Sequence, residues 1–316
     1  MTTLDEMTSI DLLASLSISD ACITIGSFDG VHIGHQKILQ AVIDNSKTKS
    51  IQAIAFTFHP HPAVVLKNIQ HPYYLTSPET RKKLLLASGI DHSITLHFDQ
   101  EMANLDARSF LEKLKKPTGF TELVIGYDFA LGKNREGTAE RLEELGREMN
   151  FKLSVIEPAQ YPQGETVSSS RIRNLLSVGS VEEAPLLLGR RFSLSGLVIH
   201  GDARGRTINI PTANLKVNEQ QLLPLNGVYA TNAIIAGESY LSVTNIGLKP
   251  TVSDGSSTKR TVETHILGLD MDLYETELTI EFIKYLRPEQ KFHSVEALKD
   301  QINQDITTTR KVVEKV

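Results

Sequence analysis

Between residue 21 and about residue 156, apolar positions fall into short runs separated by longer stretches of helical spacing. The runs are Cys22–Ile25, Ile51–Phe58, Ile94–Phe98, Leu123–Ile125 and Leu153–Ile156, and helices are predicted over roughly 34–47, 79–89, 106–116 and 136–149. Short continuous apolar runs alternating with helices predict βαβ units, which build a parallel sheet covered on both faces. After about residue 190 the texture changes to strand-like segments: Phe192–His200, Val228–Ile235, Tyr240–Ile246, Thr261–Ile266 and Glu277–Tyr285, closed by one helix over Ser294–Ile306. Successive strands with few helices predict an antiparallel barrel or sandwich. Arg171–Leu188 reads as two short helices split near Ser177–Ser180, with Ser180 and Glu183 spaced as a capping box. The boundary is placed near residue 185, giving domains over 1–185 and 186–316, with no internal repeat and no long linker between them.

Composition narrows the class. A chain of 316 residues exceeds the usual ~100–200 per domain, and 40% hydrophobic with 22% charged residues is an ordinary globular profile. Cys22 is the only cysteine, so neither an intramolecular disulfide nor a cysteine metal cluster can form within one chain. Residues 1–20 carry acids where a signal peptide would carry base, and no apolar run approaches the ~18–20 residues that span a bilayer. The expected location is cytoplasmic, with no membrane partner. A net charge of −5 removes the broad electrostatic argument for nucleic acid, so an anionic ligand must be held by local devices. Self-association is not legible in the pattern.

Such devices lie where predicted strands end, the edge at which α/β sheets bind ligands. GSFDGVHIGH, residues 26–35, is the turn between the first strand and the first helix. Its glycines, Gly26, Gly30 and Gly34, let backbone N–H groups approach a phosphate, and the following helix presents its positive end to the same anion. Phe28 belongs to the same turn. His32 and His35 lie within one helical turn of each other and can both donate to phosphate oxygens. Other strand ends carry polar or aromatic groups: His59-Pro60-His61-Pro62 after the second, and Gly126-Tyr127-Asp128-Phe129 after the fourth. VSSSRIR at 167–173 follows the fifth strand and offers the hydroxyls of Ser169 and Ser170 and the Arg173 guanidinium.

Taken together, GSFDGVHIGHQ, TFHPHP, GYDFALGKNREG and VSSSRIR resemble, in order and approximate spacing, the nucleotidyltransferase module of the prokaryotic bifunctional flavin-nucleotide synthases, which join riboflavin kinase to FMN adenylyltransferase. The resemblance implies a Rossmann-like nucleotidyltransferase domain in which the FMN phosphate attacks the α-phosphorus of ATP and pyrophosphate leaves. It implies that His32 and His35 steady the α-phosphate, that Ser169, Ser170 and Arg173 hold the triphosphate and the departing pyrophosphate, and that Asp128 positions nucleotide or metal. His59, Phe58 and Phe129 are the candidates to border the flavin, with core packing as the alternative for the aromatics.

The distal half repeats the pattern of a resemblance carried by several segments. HGDARGRTINIPTANL at 200–215 lacks the Walker sequence, and Gly201, Gly205, Arg204 and Arg206 are candidates for a glycine-rich flap over phosphates. With NGVYAT, VTNIGLKPTV, VETHIL and YLRPEQKF following in order, it is similar to the riboflavin kinase domain of the same synthases, a mainly antiparallel β-barrel. That resemblance, which now covers about residues 20–305, implies Thr212 and Asn214 as ligands of Mg²⁺ and ATP phosphates, Glu263 as general base, and Arg287 in YLRPEQKF as a flavin contact. A base is required because the hydroxyl of riboflavin arrives protonated. Two positions depart from the pattern: Asn209 and Glu275 stand where glycine is common, and either would disturb a site that needs positive φ or close approach. The expected partners are riboflavin, FMN and ATP, with FMN and FAD as substrate and product. The alternatives are an adenylyltransferase with an impaired kinase domain, and a non-catalytic flavin-binding regulatory protein.

Overall fold

The structure, a computed structural model, describes residues 18–160, 164–201, 210–250 and 258–314. Gly205 and Arg206, with Arg204 and Asn209, lie outside the described residues. Two compact units are separated between Ser169 and Ser170.

The first unit is built on β1 (Ala21–Ile25), β2 (Gln52–His59), β3 (His92–His97), β4 (Glu122–Gly126) and β5 (Lys152–Ile156), all parallel, in the order β3-β2-β1-β4-β5. Every residue of β1 is buried, as a central parallel strand with helices on both faces must be. The chain winds outward from β1 through β2 to β3, then returns to lay β4 on the other side of β1. The order reverses between β1 and β4, and beyond the carboxyl ends of strands at such a point α/β sheets bind their ligands. α1 (Ile33–Lys49) buries Leu39, Val42, Ile43 and Ser46, an i, i+3, i+4, i+7 stripe, against that sheet. α5 (Ala107–Thr118) does the same with Phe110, Leu111 and Leu114, started by the Asp106 carboxylate accepting from the Ser109 N–H and stopped by Gly119. Each such side chain contributes about 1.5–3 kcal/mol on burial. Three short helices, α2 (Pro62–Leu66), α3 (Pro78–Ala87) and α4 (Gln100–Ala103), join the strands, and α6 (Ala139–Met149) precedes β5. α6 starts later than the periodicity predicts because Thr138 caps it, accepting from the Arg141 N–H.

The second unit holds a closed barrel of β6 (Ser193–Ile199), β7 (Ala213–Lys216), β8 (Gly227–Ile235), β9 (Glu238–Pro250), β10 (Thr258–Ile266) and β11 (Glu277–Arg287), in the order β10-β7-β6-β11-β8-β9 with every pair antiparallel. β7, four residues long, has no counterpart among the predicted strands. Inside the barrel the hydroxyls of Thr231, Ser242, Thr244 and Thr264, all fully buried, bond to one another, so these polar groups satisfy each other. α7 (Ser169–Ser177) and α8 (Ala184–Leu188) lie before the barrel and α9 (Val295–Val313) after it. The capping box expected of Ser180 and Glu183 is absent: Glu183 caps α8 without a side-chain bond, and Pro185 in the first turn has no N–H for a cap to satisfy.

Candidate functional site

In the first unit the turn after β1 is held by its own buried carboxylate. Asp29, fully buried, accepts from the N–H groups of Leu75 and Thr76 and from the Thr76 hydroxyl, and the Gly30 N–H donates to that hydroxyl at 3.2 Å. Gly30 takes φ 83, which suits glycine; Phe28 and Val31 hold φ of 45 and 41 despite their side chains, strain the surrounding bonds must outweigh. Behind this loop Arg81 of α3 is fully buried and donates one nitrogen to the Ser27 carbonyl at 3.1 Å and another to the Phe58 carbonyl at 2.9 Å. It thereby ties the ends of β1 and β2 together. Burial works against its charge, and Asp29 is the largest of the opposing influences.

His32 caps α1. Its Nδ1 accepts from the His35 N–H at 3.3 Å, which puts the proton of the neutral ring on Nε2, the kind of N–H from which a phosphate oxygen accepts. The rings of His32 and His35 stack at 3.6 Å and 15°, and a Cβ on Gly34 would come within 3.2 Å of the His32 ring. The first turn of α1 carries no acid, so its amides stay attractive to an anion. Ser169, the first residue of α7, donates its hydroxyl to the Asp29 carbonyl at 2.9 Å. Ser170 follows on the same helix, with Arg173 one turn beyond Ser169.

The other predicted contacts have these surroundings. Phe28 is 1% exposed and meets His35 edge-on at 5.2 Å, so its ring supports a histidine. A Cβ on Gly26 would press on that ring at 3.1 Å. Phe58 is buried against Phe98 and Phe110, and Phe129 packs on the same core. Asp128 is exposed in the turn after β4, where its carbonyl accepts from Arg135. His59 is half-buried beside Tyr74, its Nδ1 without a hydrogen bond among the described residues; burial first, then the Arg81 charge, lowers its pKa from 6.5. Burial likewise pushes the Cys22 thiol up to about 12, which removes it as a nucleophile.

In the second unit, strand register places the predicted base between two amides. Glu263 pairs with Asn214 of β7 on one side and Asn245 of β9 on the other, so the three side chains share one face, while Thr264 points into the barrel. This outer face and α9 enclose a cavity of about 490 Å³, within the usual range for a small-molecule site, lined by Glu263, Asn245, Arg287, Val243, Leu298 and Phe292 among others. A second cavity, about 800 Å³, is lined by Pro211, Ala213, Asp270, Asp272 and Tyr274 among others. Thr212 and His265 line both. Tyr274 stacks on His200 at 3.7 Å, and Gly201 lies so close to Asn214 that a Cβ there would collide with the amide. Arg287 is engaged already: its guanidinium donates to both oxygens of Asp305 on α9 at 2.8–3.2 Å, and the pair forms part of the first cavity's wall. Glu275 has φ 63, the geometry its glycine-like place implied, but it is exposed and lines neither cavity.

Sequence reasoning missed Asp29, Arg81, Asn245, Asp305 and the bridging place of His265. Arg81 had one signal: it stands four residues before Leu85 on the buried side of α3, where a solvated charge does not belong. Among the described residues no group of three or more His, Cys, Asp or Glu side chains could hold a metal.

Comparison with known proteins covers both units. A family model for FAD synthetase matches residues 15–171 and one for riboflavin kinase matches residues 188–313. The bifunctional riboflavin kinase/FMN adenylyltransferase of Listeria monocytogenes is 34% identical over 98% of this chain and 94% of its own. Its counterparts from Bacillus subtilis and Escherichia coli are 34% and 35% identical, over 89% and 92% of this chain and the same shares of theirs. A crystal structure described as a macrolide-efflux protein from Streptococcus pneumoniae matches with a TM-score of 0.85 and 28% identity, over 96% of this chain and 98% of that one. No helix among the described residues is long and apolar enough to cross a membrane.

Proposed function

The chain belongs to the bifunctional riboflavin kinase/FMN adenylyltransferase family, and from that premise we propose how its residues divide the two reactions, with an adenylyltransferase domain over 1–185 and a kinase domain over 186–316. The chain is an enzyme of flavin biosynthesis: ATP-dependent phosphorylation of riboflavin gives FMN, and adenylylation of FMN gives FAD with release of pyrophosphate. The residue assignment is supported by the paired imidazoles at the start of α1 in the first unit and by two cavities that share Thr212 in the second.

In adenylyl transfer, an FMN phosphate oxygen bonds to the α-phosphorus of ATP as the bond to the bridging oxygen of pyrophosphate breaks. The nucleophile is already an anion, so positioning and charge stabilisation suffice. His32 holds the α-phosphate through Nε2–H, with His35 stacked beside it, at the positive end of α1. Ser169, Ser170 and Arg173 hold the polyphosphate. Gly26, Gly30 and Gly34 shape the loop, Phe28 backs it, and Asp128 orients the nucleotide. His59 borders the flavin, with Phe58 and Phe129 behind it.

In the kinase reaction Glu263 removes the proton of the riboflavin hydroxyl, whose oxygen bonds to the γ-phosphorus while ADP departs. The cavity under α9 suits the flavin, whose ring Arg287 borders, and the larger cavity suits the nucleotide. Their meeting at Thr212 supports phosphoryl transfer there. Mg²⁺ fits this chemistry: it binds through one or two protein oxygens with the rest from phosphate and water, so the Thr212 hydroxyl and Asn214 amide oxygen would hold it and it would neutralise phosphate charge. ATP use in both reactions supports a cytoplasmic location.

The test is chromatographic separation of flavins after incubation with MgATP and either riboflavin or FMN. Wild type forms FMN and then FAD. His32→Ala/His35→Ala still makes FMN but no FAD, and Glu263→Gln makes FAD only from supplied FMN, with FMN formation down about 10²-fold or more. Loss of both activities in either variant would defeat the assignment of separate sites.

A further inference from the structure

We propose that His265 is a positioning residue for phosphoryl transfer: its ring holds the Pro211 carbonyl and so sets Thr212 at the junction of the two cavities. The inference rests on the kinase reading of the second unit and adds a residue to it.

His265 stands two residues beyond Glu263 on β10, so both side chains leave the same face of the strand. Its Nδ1 lies 2.7 Å from the Pro211 carbonyl oxygen. A carbonyl only accepts, so Nδ1 carries the proton, in the neutral ring and in the cation alike. The bond spans 54 positions of sequence and reaches a residue with no N–H of its own to anchor it. The next residue is Thr212. It is exposed, and among the described residues only Thr212 and His265 line both cavities. A hydroxyl placed where two substrates meet has to be held within a fraction of an ångström for productive transfer. β7 begins at Ala213, so strand pairing fixes the chain only just beyond Thr212. The His265–Pro211 bond supplies the hold on the preceding side.

Three substitutions separate this role from bulk and from contact by the other ring nitrogen. His265→Asn places an amide N–H where Nδ1–H stood and retains the anchor. His265→Gln keeps the side chain's length but places its amide at the Nε2 position, and His265→Ala removes both. Initial rates of FMN formation from riboflavin give kcat and KM, FAD formation from supplied FMN in the same preparations controls for the amount of chain, and the thermal transition of the second unit controls for its folding. The expected result is kcat near wild type for His265→Asn and about tenfold lower for His265→Gln and His265→Ala, the worth of one hydrogen bond, with riboflavin KM changed less. Histidine-labelled wild type, read by two-bond ¹H–¹⁵N correlation, shows the Nδ1–H tautomer in the signal lost from His265→Asn. An Nε2–H tautomer overturns the proposal whatever the turnover, as does kcat equally reduced in His265→Asn and His265→Ala, or reduced in neither. A wild-type chain that makes no FMN defeats the kinase reading instead, and the spectrum still decides the anchor.

Discussion

Glu275 is the position at which sequence and structure make the sharpest joint prediction. The Leu273 carbonyl accepts from the Thr276 N–H at 3.1 Å, with Glu275 third in the turn at φ 63. A turn with positive φ only at its third residue is of type II, the place where glycine is favoured because it has no Cβ to clash. Holding a side chain in that region costs about 1–2 kcal/mol. Glycine would remove this cost but give the unfolded chain about 0.4–1 kcal/mol of added freedom. The net expectation for Glu275→Gly is stabilisation by about 0.5–1 kcal/mol, because among the described residues the exposed carboxylate has no hydrogen bond or ion pair that offsets it. The Glu275 N–H bond to the Val198 carbonyl, 2.9 Å, survives the change. For a unit of this size the Tm should rise by about 2–4 °C. Scanning calorimetry can assign the transition, since riboflavin with MgADP raises the Tm of the unit that binds them. FMN formation should stay within about twofold of wild type, since Glu275 borders neither cavity although its neighbour Tyr274 does. An unchanged or lowered Tm would refute the reasoning, and a large gain in kcat would show that the substitution limits the kinase after all.

Arg81→Met leaves the Ser27 and Phe58 carbonyls without their donors, at about 1–3 kcal/mol each; FAD formation and first-unit stability should fall while FMN formation persists, and Arg81→Lys, with one ammonium for two carbonyls, should recover only part. Asp305→Asn removes one charge of a nearly buried pair, so steady-state assays should find riboflavin KM raised severalfold with kcat and FAD formation little changed; an unaltered KM would free Arg287 and Asp305 from any part in the cavity. His59 is held below its ordinary 6.5 by burial and by Arg81, so the folded state favours the neutral ring. That contribution is complete above about pH 6.5 and is lost as pH falls below it, because the unfolded chain then binds the proton more readily. Urea midpoints for the first unit should therefore drop between pH 7 and 5, and less so in His59→Gln; equal slopes would remove His59 as the cause.

Apolar spacing was enough to place the parallel strands, their main intervening helices and the change to successive strands, because burial on two faces and burial on one leave different periods in the chain; the choice of barrel over sandwich came from the resemblance. Spacing was enough, too, to bring GSFDGVHIGH and GYDF to one edge of a sheet, since turns after parallel strands emerge on the same side. β7 escaped because four residues carry no period of their own; only pairing with β6 and β10 makes them a strand. Aromatic residues at strand ends were ambiguous for a related reason: whether Phe28 or Phe58 meets core or ligand depends on which neighbours the fold supplies, and here it supplied core. While the strand carboxylate Glu263 was singled out by the resemblance, a pair of imidazoles at a helix start could be read from the chain as a phosphate clamp. Arg81 reaching two loops, Arg287 turning to Asp305, and His265 bonding across 54 residues could not. Those bonds join segments distant in sequence, and no local pattern records which distant carbonyl or carboxylate a donor will meet until the tertiary structure brings them within 3 Å or so.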